Sequence, residues 1–292
     1  MNTPAQVEIG VIGGSGFYDL PGAEVLHVVD VETPFGKPSS PVTIMRSADG
    51  FLLAFLSRHG RGHVLAPHAV PYRANVFALK SVGVKRIVSV NAVGSLTERY
   101  APGDLVLPSD LVDRTHGRQA TFFDQGIVAH VGMAEPICRT VRSDLLSARA
   151  HTKARLHHGG TLVVIQGPRF STKAESNSHR EQGYSLVGMT TLPEATLARE
   201  AEICYASLSM VTDYDVWHET DEPVSAELIL ERLHTSARAA RDLVVGALPA
   251  LDMRGYCECQ DALTDAIVTD RAQMDPAVIE RLAPIVDRHL SK

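Results

Sequence analysis

Apolar runs alternate with helical patterns along most of this chain, and this alternation constrains the fold more than any other feature. It continues from Val7 to about Leu251 without a linker-like change in composition. Strands that alternate with helices are typical of α/β domains, in which helices cover a central sheet. The sequence therefore predicts one α/β domain over residues 1–251, followed by a C-terminal helical extension over residues 252–292.

The extension carries its own helical pattern. The segment from Pro276 to Arg288 predicts a short amphipathic helix that is interrupted at Pro284. This helix could cover a pocket or join subunits, and its residues do not choose between the two.

Charge and hydropathy exclude several classes of partner. With 28 basic and 34 acidic residues the formal net charge is −6, which creates no field that would attract nucleic acid or an anionic membrane. No stretch approaches the roughly 18 apolar residues of a membrane span, and the first residues lack a signal-peptide pattern. We expect a soluble, cytoplasmic protein.

The four cysteines are too few for a disulfide framework at this length. Cys257 and Cys259 form a Cys-Glu-Cys triplet that could close a strained bridge, but we expect two free thiols. No CxxC motif suggests zinc, and glycines between His59 and His63 argue against the helix that their spacing would need. We predict no metal site.

Two carboxylates follow one of the buried-strand patterns directly. Asp213 and Asp215 come after the apolar run 203–211, where open α/β sheets keep their ligands. Such groups can protonate or hydrogen-bond a nitrogen heterocycle. The alternative is a solvated connection that caps the following helix.

Three further runs end in residues suited to an anion. The first leads into a glycine turn that contains Ser15, and the second into a cationic loop with Arg58. A dinucleotide fold is excluded at the glycine turn, because residues 17–24 are too few for a crossover helix. The third run opens into residues 91–95, whose small side chains predict another turn. For Arg58 the alternative is a solvated surface arginine.

Two more segments offer contacts for a base, a sugar and a phosphate. After the run 161–165, Phe170 could stack on a flat base while Ser171 bonds its edge, although an isolated Phe is more often core. After the run that ends at Gly188, Met189 could touch a sugar and Thr190 could donate to a phosphate.

These residues carry a family resemblance. The chain resembles the trimeric 5′-methylthioadenosine phosphorylases, collinearly from Val7 to about Leu251. The matching motifs are Gly13-Gly-Ser-Gly, Thr33-Pro-Phe-Gly-Lys-Pro, Arg58-His-Gly, Asn91-Ala-Val-Gly-Ser, Met133-Ala-Glu-Pro, Gly167-Pro-Arg-Phe-Ser with Glu175-Ser, Met189-Thr-Thr-Leu-Pro-Glu and Thr212-Asp-Tyr-Asp. So many ordered motifs make a chance match very improbable.

The resemblance implies a doubly wound domain with a mixed central β-sheet flanked by helices, and a homotrimer or a dimer of such trimers. It implies a pentosyltransferase of purine salvage that cleaves S-methyl-5′-thioadenosine, or a related 5′-modified adenosine, to adenine and 5-methylthioribose-1-phosphate. Inorganic phosphate is the co-substrate, and no metal or organic cofactor is expected. The alternative is a broad purine nucleoside phosphorylase that acts on inosine, guanosine and adenosine.

Roles for individual residues also come from this resemblance. Asp213 would be the catalytic acid that donates toward N7 of the purine, and Asp215 would help to hold the 6-amino group. The implied phosphate-binding residues are Ser15, Arg58, His59, Asn91, Ala92 and Thr190, and the other implied substrate contacts are Phe170, Ser171, Met189, Ala226 and His130.

The chain departs from the family pattern at three of these positions. Ser15 and Asn91 stand where animal enzymes typically have threonines, and Ala226 stands where a valine often lines the 5′ pocket. His130 matches a position that reaches the substrate of an adjacent subunit, whereas an exposed loop histidine is the alternative.

Two rival functions belong to other classes. A hydrolytic nucleosidase would use water and would have little reason to gather Ser15, Arg58 and Thr190 around an anion. A non-catalytic nucleoside-binding protein would not need Asp213 together with a phosphate set. We therefore favour phosphorolysis.

Overall fold

A computed structural model describes residues 7–20, 22–218, 226–253 and 255–290, with the backbone alone for residues 226–232. These residues form a mixed sheet covered by helices. The strands are β1 (Ile9–Gly13), β2 (Glu24–Val29), β3 (Val42–Arg46), β4 (Leu52–Ser57), β5 (Arg86–Ser95), β6 (Leu105–Leu107), β7 (Asp110–Arg114), β8 (Leu156–His158), β9 (Thr161–Ile165), β10 (Leu186–Gly188) and β11 (Cys204–Asp213). The mixed α/β architecture that the sequence predicts is confirmed.

The central strand is β5, which pairs with three others. It runs parallel to β1 and β11 and antiparallel to β10. The main path through the sheet is β2-β3-β4-β1-β5-β10-β9-β7, and β11 continues from β5 to β6 and β8. Because β1, β4, β5 and β11 are parallel, their carboxyl ends meet at one edge of the sheet.

The helices are α1 (Tyr72–Ser81), α2 (Arg139–Ser147), α3 (Lys173–Glu181), α4 (Thr191–Glu200), α5 (Ala226–Asp252), α6 (Pro276–Arg281) and α7 (Ala283–Leu290). A capping box begins α3, in which Thr172 accepts from the Glu175 amide and the Glu175 side chain accepts from the Thr172 amide. This box fixes the backbone directly after Phe170 and Ser171. None of the helices in the described ranges is long and apolar enough to cross a membrane.

One predicted turn is wrong. Residues 91–95 continue β5 as a strand, because β11 pairs with them through Gly94 and β10 pairs with Gly94 and Ser95. Their small side chains permit close strand packing rather than a change of direction. A Cβ on Gly94 would lie 3.1 Å from Oδ1 of Asp213.

The C-terminal extension packs on the domain. Leu282 and Val286 are buried in the same hydrophobic core as β5 and α5, and the ring of His289 lies 3.0 Å from the Glu202 carboxylate. The helical pattern breaks at Leu282, two residues before Pro284, since a proline is tolerated only in the first turn of the next helix. The domain boundary near Leu251 stays a prediction.

Candidate active site

A cavity of about 260 Å³ opens where β1, β4, β5, β10 and β11 end. Loops and strand ends far apart in sequence supply its walls. The predicted residues among its lining are Ser15, Arg58, His59, Asn91, Ala92, Phe170, Ser171, Met189, Thr190, Asp213 and Asp215. The structure therefore brings the predicted anion set and the predicted base set into one site.

Arg58 is fully buried beneath the cavity and is fixed by an ion pair. Its Nε and Nη2 donate to the two carboxylate oxygens of Glu194 at 2.8 and 3.0 Å. Nη1 donates to the Val90 carbonyl, and Nη2 also donates to Ser89. Burial opposes the charge, but the Glu194 carboxylate outweighs it and raises the pKa of Arg58. The Arg58 guanidinium has five N–H groups, and these contacts with described residues use four of them. The remaining N–H, on Nη1, can donate to a ligand.

The glycine turn lies directly against this arginine. A Cβ on Gly14 would come within 2.5 Å of Arg58 Nη1 and 2.6 Å of the Val90 carbonyl oxygen. Only glycine permits that approach. It places Ser15 and the backbone N–H groups of the turn beside the cationic group, where an oxyanion would be stabilised.

His59 faces the cavity as a neutral ring. Its Nδ1 lies 2.8 Å from the Leu65 carbonyl oxygen, so Nδ1 carries the proton and Nε2 has a lone pair. Burial, and then the charge of Arg58, lower its pKa to about 4. At neutral pH His59 can therefore accept a hydrogen bond from a hydroxyl of phosphate or sugar, but it adds no positive charge.

Asn91 is held rigidly at the middle of the site. Its Nδ2 donates to the Thr191 hydroxyl at 2.9 Å, and its Oδ1 accepts from the Ser207 hydroxyl at 2.9 Å. Thr190, the residue before Thr191, is buried and lines the cavity. This network fixes the start of α4 against β5, so that Thr190 is held in the lining of the same cavity as Arg58.

The two carboxylates stand at the end of β11. Asp213 accepts from the Thr212 hydroxyl and from the Asp215 amide, both at 2.7 Å. Asp215 has a left-handed backbone with φ 54°, which turns its side chain back toward the cavity. Burial raises the pKa of Asp215, although the hydroxyls of Ser176 and Ser171 favour its charged form.

Several buried polar atoms near Asp215 have no well-formed hydrogen bond. They are Oδ2 of Asp215 and the hydroxyls of Ser171 and Ser176, judged within the described residues. Unpartnered buried polar groups are costly, so native proteins seldom keep them without a ligand or water. Their position suits a polar heterocycle.

An aromatic ring and a sulfur complete the walls. Phe170 is 53% exposed at the mouth of the cavity, which is consistent with a stacking surface rather than a core residue. Met189 lies deeper, and a Cβ on Gly167 would reach within 2.6 Å of its Sδ.

Comparison with known proteins agrees with this geometry. A family model described as the phosphorylase superfamily matches residues 8–249. The chain belongs to this superfamily. The match includes every strand and ends inside α5, so that it covers the whole cavity.

Relatives within the phosphorylases are close over nearly their full length. The S-methyl-5′-thioadenosine phosphorylase of Chloroflexus aurantiacus is 50% identical over 97% of this chain and 98% of its own. A methylthioadenosine phosphorylase from an antarctic soil metagenomic library has a crystal structure with TM-score 0.90 and 42% identity, covering 96% of this chain and 98% of its own. A mutant of the Schistosoma mansoni adenosine/methylthioadenosine phosphorylase, solved with methylthioadenosine, has TM-score 0.82 and 36% identity over 88% and 95% of the two chains.

One predicted residue of this phosphorylase, His130, is not brought into the cavity, and another, Ala226, cannot be placed. His130 is exposed, and its amide donates to the Ala266 carbonyl. Its role in an adjacent subunit stays a prediction. Ala226 begins α5, but its side chain lies outside the described residues.

Two important residues were missed by the sequence argument. Glu194 compensates the buried charge of Arg58, and Arg118 joins the loops that follow β9 and β10. The Arg118 guanidinium donates to the carbonyl oxygens of Gln166, Met189 and Leu192 at 2.7–2.8 Å. Nothing local marks Arg118, since its partners are about 50 to 75 residues away. Glu194 ends a matched motif, but the sequence does not show which cation it pairs with.

Proposed function

We propose that this protein cleaves S-methyl-5′-thioadenosine with inorganic phosphate, giving adenine and 5-methylthioribose-1-phosphate. The observation that carries the proposal is one cavity in which an anion set around Arg58 lies beside the carboxylates Asp213 and Asp215. The names of the relatives support the same substrate.

The phosphate is proposed to lie at the end formed by the glycine turn, Arg58 and Thr190. There the remaining N–H of Arg58, the hydroxyls of Ser15 and Thr190, and backbone N–H groups can donate to its oxygens. His59 accepts from a protonated phosphate oxygen or a ribose hydroxyl. Asn91 and Ala92 form the wall between phosphate and sugar.

The nucleoside is proposed to extend from Met189, against the ribose, to Phe170 and Ser171, against the base. A phosphate oxygen attacks the anomeric carbon and forms the new C–O bond. The bond from that carbon to N9 breaks, and its electron pair passes into the purine. Asp213 gives its proton to N7 and is reprotonated from solvent, which neutralises the departing base.

Adenine is proposed as the preferred base. Carboxylate oxygens at this end can accept from the exocyclic amine of adenine, whereas a 6-oxopurine presents an acceptor there instead. Asp215, whose buried Oδ2 has no well-formed hydrogen bond among the described residues, is the proposed acceptor.

No metal or organic cofactor is proposed for the reaction, because phosphate supplies the nucleophile and Asp213 supplies the proton. The protein is proposed to act as a homotrimer, or a dimer of trimers, with neither nucleic acid nor membrane as a partner. Val128 and Val268 are exposed, and they lie on two segments that hydrogen-bond to each other beside His130. These exposed apolar side chains support a subunit contact there. A cytoplasmic location agrees with cysteines that form no disulfide.

Adenine release measured with and without phosphate tests the proposal. We expect release that depends on phosphate, with a sugar phosphate detected by phosphorus NMR in equal amount. Release at the same rate in phosphate-free buffer would indicate a hydrolase. Faster cleavage of inosine and guanosine than of methylthioadenosine would indicate the broad purine nucleoside phosphorylase instead.

A further inference from the structure

All four cysteines of the chain meet at one point, although they come from three separate segments. Cys138 precedes α2, Cys204 begins β11, and Cys257 and Cys259 lie at the short 3-10 helix that follows α5. Their sulfur atoms all lie within 4.8 Å of one another, and three of the four residues are buried. The Sγ atoms of Cys138 and Cys257 are 3.7 Å apart.

We propose that these four sulfur atoms bind one zinc ion as a structural tetrathiolate site. Zinc takes four thiolates tetrahedrally at about 2.3 Å, which places neighbouring sulfurs about 3.8 Å apart. The separation of Cys138 and Cys257 matches that edge, and a pair joined as a disulfide would instead be about 2.05 Å apart.

The surroundings of the sulfurs suit a site with net negative charge. Four thiolates and one zinc ion together carry a charge of about −2. The Arg199 guanidinium lies 3.5 Å from Cys259 Sγ and offsets part of it. The Thr140 hydroxyl lies 3.8 Å from Cys257 Sγ. Such donors orient metal-bound sulfur and stabilise its charge.

The site is structural because of its place in the fold. Cys204 opens β11 and Asp213 ends it, so the sulfurs lie at the opposite end of a ten-residue strand, about 30 Å from Asp213. A zinc ion there would fasten the segment after α5 to the first residue of the strand that carries the carboxylates. Spacing along the sequence did not predict this site, because the ligands converge only in the fold.

The test measures metal in the full-length protein, purified with a reductant, without a chelator and without a histidine tag, after dialysis against zinc and then zinc-free buffer. We expect about one zinc ion per chain. Cys257→Ser should lose most of it. The matched control is Glu258→Gln, between the two cysteines, which should keep it. A chelator should lower the Tm of the wild type and of the control.

Cobalt exchange provides a second readout that does not depend on the variant's folding. We expect the sulfur-to-cobalt charge-transfer bands of a tetrahedral thiolate site in the wild type. Absence of both zinc and these bands would overturn the proposal, as would full retention of zinc by a folded Cys257→Ser protein. Two disulfides found by alkylation and mass spectrometry in the freshly purified protein would overturn it too.

Discussion

The proposed acid Asp213 belongs to the residue scale, since its carboxyl group is proposed to set the rate and, together with Asp215, the base preference. Replacing it with the amide in Asp213→Asn removes the proton donor and offers an N–H group to a 6-oxopurine. We expect kcat/KM for methylthioadenosine to fall about 10²–10⁴-fold, with a smaller loss for the 6-oxo analogue. Asp110→Asn on the exposed edge of β7 is the control and should match the wild type.

An unchanged ratio between the two substrates in Asp213→Asn would contradict this role. Steady-state kinetics with saturating phosphate measure it.

The Arg58–Glu194 pair predicts a large stability effect. Both side chains are almost completely buried, so Glu194→Ala leaves an uncompensated charge inside the protein. We expect the free energy of unfolding to fall by about 3–5 kcal/mol, as measured by denaturant titration. The matched control is Glu175→Ala. It removes one partner of the exposed, bidentate Arg169–Glu175 ion pair and also removes the capping box of α3. Equal losses in the two variants would contradict the account.

Glu200 predicts a pH effect on stability. Burial raises its pKa to about 7, while the unfolded chain has the ordinary value near 4.5. Between these values the folded state binds the extra proton, so this residue's contribution to stability is complete below pH 4.5 and is lost as pH rises through 7. Its carboxyl oxygens accept from the Thr121 hydroxyl and the Phe122 amide.

Glu200→Gln should remove this loss. The amide oxygen can still accept from Phe122, and its NH₂ can donate to the Thr121 hydroxyl. Between pH 5 and pH 8 the variant should lose roughly 2–3 kcal/mol less stability than the wild type, measured by denaturant titration at both pH values. Parallel pH profiles would show that Glu200 does not titrate in this range.

At the scale of elements, the loops after β9 and β10 depend on Arg118. Its guanidinium holds the loop with Phe170 against the loop with Met189 and Thr190 through their carbonyl groups. Arg118→Ala removes these bonds, and we expect kcat/KM to fall about 10²-fold, with higher KM for both nucleoside and phosphate. The control is Arg114→Ala, whose guanidinium donates to the exposed Gln182 side chain. A selective fall in kcat alone would contradict this positioning role.

The buried strands β1, β4, β5, β9, β10 and β11 could be predicted from apolar runs, because burial in a central sheet demands apolar residues. The predicted turn at residues 91–95 was wrong for a physical reason: small residues such as Gly94 also occur where strands pack closely. Motifs and family resemblance named most of the cavity residues. Glu194, Arg118 and the cysteine cluster depend on contacts between distant segments, which no local pattern contains.

At the scale of the whole molecule, phosphate and nucleoside are proposed to bind side by side at the carboxyl edge of the sheet. The subunit assembly belongs to the same proposal, because His130 lies on an exposed segment of a single chain and would reach a substrate only in another subunit. In the proposed trimer this histidine contacts the 5′ substituent in a neighbouring subunit. A single structure of the assembled protein can test both parts.

The most direct measurement is a crystal structure with sulfate and methylthioadenosine bound together. We expect sulfate beside Ser15, Arg58 and Thr190, adenine beside Asp213 and Asp215, and the His130 of a neighbouring subunit at the methylthio group. Crystals with neither sulfate near Arg58 nor adenine near Asp213 would contradict the proposal.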